Sequence, residues 1–183
     1  MIADAVSSIL APWSGFFLMT SSSAAALTGL MFIVITLVTG TERAQRSPDG
    51  ISTFSTPTVV HFCSALLISA ILSAPWHTLH APGILLDIVG LAGSIYTLRV
   101  MYRTSRLRTY TPDLEDWLWY AISPLVAYGT ILVGAILLAT IPVHALFVLA
   151  GAIMLLIFIG IHNAWDVVTY LAISTASNTS NPK

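Results

Sequence analysis

Charge is what this chain lacks most. Only 8% of its 183 residues are Asp, Glu, Lys or Arg, against about 25% in an ordinary soluble domain, and that shortfall excludes a water-soluble globular fold. Seven Lys plus Arg against eight Asp plus Glu leave a formal net charge of −1. There is no basic surface of the kind a phosphate backbone requires, so nucleic acid is not an expected partner. Cysteine is almost absent as well. The single Cys63 excludes an internal disulfide and a Cys-based zinc cluster, and its place in an apolar run predicts a small buried hydrophobe. No Ser-His-Asp pattern, HExxH, Gly-rich phosphate loop or paired-carboxylate motif stands in a loop large enough to present a substrate, which excludes a soluble-type hydrolase.

What is there is apolar: 56% of the residues are hydrophobic and the mean hydropathy is +0.87. Lipid tolerates only segments whose backbone polar groups are satisfied internally, which for apolar runs means helices of about 20 residues. Five such runs are predicted, over 16–38, 57–76, 83–102, 117–140 and 143–164, forming a single transmembrane domain at 1–174. Pro57 is expected in the first turn of the second span, where its missing N–H costs nothing. Pro124 is expected to bend the fourth, and Pro142 separates the last two. Ile2, Val6, Ile9, Leu10 and Trp13 recur at helical spacing, which predicts a short interfacial helix ended or bent by Pro12. Cleavage of the first span as a signal peptide is not expected. Residues 175–183, rich in Ser, Thr and Asn, read as a disordered cytoplasmic tail.

Lys and Arg flank the cytoplasmic ends of membrane helices. Arg43 and Arg46 fall between spans one and two, Arg99, Arg103, Arg106 and Arg108 at or after the end of span three, and Lys183 on the tail. All seven therefore lie on one side of a five-helix bundle with its N-terminus outside and C-terminus inside. Tyr102, Trp117, Trp119, Tyr120 and Trp165 form an aromatic belt at the same inner side, with Trp13 and Trp76 at the outer one.

Three groups of residues stand out against this frame. Ser21, Ala25 and Gly29 fall four apart on one face of span one, and Gly90 and Ser94 do so in span three; such small-residue ridges let helix backbones approach closely, within the bundle or between subunits. At the inner end, His61, Arg99, Arg103, His162, Asn163 and Asp166 lie at similar depth. A lone charge near lipid costs about 2.5–3.5 kcal/mol, so Asp166 is expected to pair, with Arg99 as the predicted partner and Arg103 or His162 as alternatives. The group reads as an ion-pair clasp between spans three and five or as a gate on a proton or ion route. At the outer end His77, His80, Asp87 and His144 offer imidazole and carboxylate donors that suit a divalent metal if the fold gathers them. A haem held by His61 and His162 rests only on their shared depth, and no cofactor is expected.

The strings Phe16-Phe17-Leu18-Met19 and Gly29-Leu30-Met31-Phe32, Thr56-Pro57-Thr58-Val59-Val60-His61-Phe62, and Gly160-Ile161-His162-Asn163-Ala164-Trp165-Asp166 resemble patterns in a family of small bacterial multi-pass membrane proteins to which no activity is assigned. In the similar sequences Arg often stands at the position of His162, and this chain departs there. The resemblance implies a bacterial inner-membrane location and transfers no catalytic residue. The expectation is therefore a non-enzymatic, all-α inner-membrane bundle whose partners are lipid and either further copies of itself or a larger membrane complex. A small channel or transporter with a polar inner gate is the alternative, and a haem or metal protein the third reading.

Overall fold

The computed structural model describes residues 2–39, 48–105 and 117–179, and all regular structure among them is helical. Helix α1 (Ile2–Leu10) leads through a 3-10 turn at Ala11–Trp13 into α2 (Ser14–Thr39). Then come α3 (Pro48–Ser73), α4 (His80–Ser105), a π-helical turn at Leu118–Ile122, α5 (Ser123–Leu138) and α6 (Pro142–Thr179). Five helical segments are long and apolar enough to cross a membrane: Ala5–Thr36, Thr56–Ser73, His80–Arg103, Leu118–Leu138 and Pro142–Thr169.

The helices pack in the spatial order α2, α3, α6, α5, α4, with α3 and α4 meeting only lightly. Helix α6 is the hub. Its apolar window is 56% buried, whereas those of α2 and α4 are 17% and 22% buried and flank the bundle. Short turns force neighbours in sequence to run in opposite directions: Ala74–Leu79 joins α3 to α4, and Ala139–Ile141, held by Ile141 N–H donating to the Leu137 carbonyl at 2.8 Å, joins α5 to α6. The close approaches show the same sense. A side chain added at Gly83 would meet the Ala135 carbonyl, one at Gly90 would meet Leu132, and one at Gly93 would enter the Tyr128 ring, so position falls along α5 as it rises along α4. Trp13 at the start of α2 packs edge-on to Phe147 at the start of α6, with ring centroids 4.7 Å apart. Trp13, Trp76 and His144 therefore mark one end of the bundle, here the Pro142 end. Arg103, Trp117 and Thr169 mark the other, the Trp117 end.

Several expectations change in detail. Helix α3 begins at Pro48, where the missing N–H falls in the first turn, and Pro57 lies inside it. Pro124 sits in the first turn of α5, because the preceding π-helical turn, closed by Ser123 N–H donating to the Leu118 carbonyl, absorbs the irregularity. The segment from Ile2 is helical, with Val6 and Leu10 buried and Pro12 in the 3-10 turn. Helix α6 runs on through Thr179, into the stretch expected to be disordered, since extending an existing helix adds a hydrogen bond per residue without a new nucleus; the rest of that tail lies outside the described residues, as do Arg43, Arg46, Arg106 and Arg108. Cys63 is exposed on the outer face of α3 rather than buried.

The small-residue ridges part company. On α4, Gly90 is buried against Leu132, while Ser94 is half-buried and donates to the Gly90 carbonyl at 2.8 Å. On α2, the face turned to the bundle carries Phe17, Thr20, Ala24 and Met31, all buried. That leaves Ala25 and Gly29 exposed and Ser21 half-buried, with nothing within 4 Å of a side chain built at Gly29. The two sets sit on different sides of one helix, and only the larger one fills the contact with α3.

Candidate functional site

A polar group inside the bundle joins side chains of α3 and α5. His61 stands in the middle of α3 and Tyr128 five residues into α5, and both are sealed from the surface, at 2% and 0% exposure. The tyrosine hydroxyl lies 3.1 Å from His61 Nδ1 and 3.0 Å from Ser64 Oγ. Ser64 also donates to the Val60 carbonyl at 2.8 Å. His61 and Ser64 are three apart, hence on one side of α3, and a single hydroxyl bridges both. On its other side the Tyr128 ring lies against Gly93 of α4, where a Cβ would overlap it. One tyrosine thus ties α3, α4 and α5 together at mid-bundle. Buried polar groups must be matched in this way, because each unmatched one costs about 1–3 kcal/mol.

The matching continues toward the Pro142 end. Thr20 on α2 and Ser69 on α3 are buried with their hydroxyls 2.9 Å apart, and Ser73 donates to the Ser69 carbonyl. Along the described part of α3, His61, Ser64, Ser69 and Ser73 each have a partner inside the protein.

At the Trp117 end the expected cluster divides. His162 stacks on Trp119 of the π-helical turn, with ring centroids 4.0 Å apart and planes at 20°, and its Nε2 lies 3.3 Å from an oxygen of Asp166. Among the described residues no ion pair joins Asp166 to Arg99 or Arg103, so the expected Arg99 contact gives way to the one within α6. The reason is the helix order: α5 and the π-helical turn stand between α4 and α6. Arg99 and Arg103 occupy an outward groove on α4 with Ile95, Leu98 and Tyr102, where long side chains can carry their charge to the membrane surface. Asn163, adjacent to His162 in sequence, points elsewhere. It is fully buried, and neither Nδ2 nor Oδ1 has a hydrogen-bond partner among the described residues. His61, the remaining member, belongs to the tyrosine network.

The Pro142 end does not gather its donors. His77, His80 and His144 are exposed and Asp87 is half-buried, and no three His, Cys, Asp or Glu side chains among the described residues come together to hold a metal ion. The haem pair fares similarly: His61 is turned to Tyr128 and His162 to Trp119, so their shared depth does not give a common space.

Compared with known proteins, the chain matches no family model, no curated protein and no solved structure.

Sequence reasoning passed over Tyr128, Ser64 and Gly93 as part of a site. The available signal was Tyr128 itself, an aromatic hydroxyl at the centre of an apolar span rather than at its interface, where tyrosine ordinarily sits. Its depth requires an internal partner, and His61 and Ser64 of α3 supply it.

Proposed function

We propose that this is a non-enzymatic, multi-pass protein of a bacterial inner membrane that works by lateral association, with other copies of itself or within a larger membrane complex. The observation that supports this reading is the Ser21, Ala25, Gly29 ridge on α2, which the bundle leaves facing outward. Ser22, Ser23 and Ala26 widen it, and Leu18, Met19, Leu30 and Phe32 rim it. In lipid, helices associate by backbone approach across small residues rather than by burying hydrophobic surface from water. A flank helix with such a groove suits that role. The arginine bias puts the Trp117 end in the cytoplasm.

Gly29→Leu tests the reading, because a Cβ at this position has nothing of the protomer within 4 Å. Native mass spectrometry from mild detergent is expected to give an oligomer or a co-purified complex for the unaltered chain and a folded monomer for the variant. A monomer in both samples would end the proposal.

A second reading, a small channel or proton-conducting protein, is supported by one observation, the His61–Tyr128–Ser64 network held inside the bundle at mid-depth. Ionisable groups inside membranes commonly line such routes. Under this reading proton flux into proteoliposomes should fall at least about tenfold on His61→Leu, and an unaltered chain that carries no flux removes it.

A further inference from the structure

Among the described residues, Asn163 is the one buried side chain of the central helix whose polar atoms both go unanswered. It lies at 0% exposure on α6, with neither Nδ2 nor Oδ1 partnered among the described residues. Gly160, one turn earlier on the same side of α6, is covered by the Phe62 ring of α3, so Asn163 borders the α3–α6 contact just beyond that ring. Its neighbours in sequence do not serve it: His162 and Asp166 face one another and Trp119.

We propose that Asn163 anchors an internal water site between α3 and α6, on the Trp117 side of the Phe62–Gly160 contact. The chemistry of the amide selects the guest. Nδ2 brings two donors and Oδ1 two acceptor lone pairs, so a bare cation would answer only the oxygen and an anion only the nitrogen. A neutral molecule that both donates and accepts answers both, and water is the smallest. Buried waters typically make about three hydrogen bonds to groups the protein leaves unmatched. The proposal is independent of lateral association, since Asn163 faces inward and the α2 ridge outward.

Radiolytic labelling in water enriched with heavy oxygen tests it, because bound water generates hydroxyl radicals where bulk solvent cannot reach. Phe62 and Phe17 are both at 0% exposure, and Phe17, packed among Trp13 and Phe16, is the dry control. Heavy oxygen is expected on Phe62 and not on Phe17. In Asn163→Leu, labelling of Phe62 should drop about tenfold, the occupancy lost with one hydrogen bond's worth of affinity, while exposed Trp165 keeps its label. An unlabelled Phe62 in the unaltered chain overturns the proposal, and so does equal labelling in a folded Asn163→Leu protein. Should that variant not fold, the contrast between Phe62 and Phe17 in the unaltered chain decides alone.

Discussion

Gly93→Ala is expected to lower stability by about 1–3 kcal/mol, the usual cost of forcing extra volume into a packed interior. A methyl group at this position would overlap the Tyr128 ring, and the ring has little freedom to withdraw because its hydroxyl is held by His61 and Ser64. Alanine is otherwise the better helix former by about 0.5–1 kcal/mol, so the steric term must exceed that gain to appear at all. Gly29→Ala supplies the internal comparison. With nothing within 4 Å of its Cβ position, the same substitution is expected to leave the protomer as stable or slightly more so. Unfolding both variants by titration with a denaturing detergent, followed by tryptophan fluorescence, measures the difference. Equal stabilities would mean that α4 does not lie against Tyr128 as described.

Tyr128→Phe should cost a similar amount for a different reason. Interhelical hydrogen bonds in membranes average only about 0.6 kcal/mol when measured by double-mutant cycles, so the lost bond is the smaller part. Leaving a fully buried imidazole without its partner costs about 1–3 kcal/mol, and that part dominates. Ser64 is spared, since its hydroxyl retains the Val60 carbonyl. Adding His61→Leu to Tyr128→Phe removes the stranded group and is expected to recover part of the loss, giving a coupling of about 0.5–3 kcal/mol between the two positions. Strict additivity in the same unfolding assay would show that the two side chains do not depend on one another.

The reading of five spans succeeded because hydrophobic length is a local property: a run such as Phe16 to Val38 must form a helix wherever it meets lipid. Boundaries moved where local signals had two solutions. Proline fits the first turn of a helix, which is why Pro57 was expected there; the helix instead begins at Pro48 and carries Pro57 inside it. Grouping of polar residues by depth was partly legible as well. His162 and Asp166, four apart on one helix, meet as their spacing allows. Arg99 does not join them, because depth says nothing about which helices are neighbours.

Composition and the length of the apolar runs, read residue by residue, determined that this chain forms five helices long and apolar enough to cross a membrane. Only the tertiary structure decided azimuth, the direction each helix face points. It turned Ser21, Ala25 and Gly29 outward, set Gly93 beneath Tyr128, and left Asn163 inside without an answering group among the described residues. Every face of a transmembrane helix is apolar enough for lipid, so hydrophobic periodicity cannot tell inside from outside. Side-chain volume and hydrogen-bond matching between helices do that, and both are properties of pairs of segments that no single segment carries.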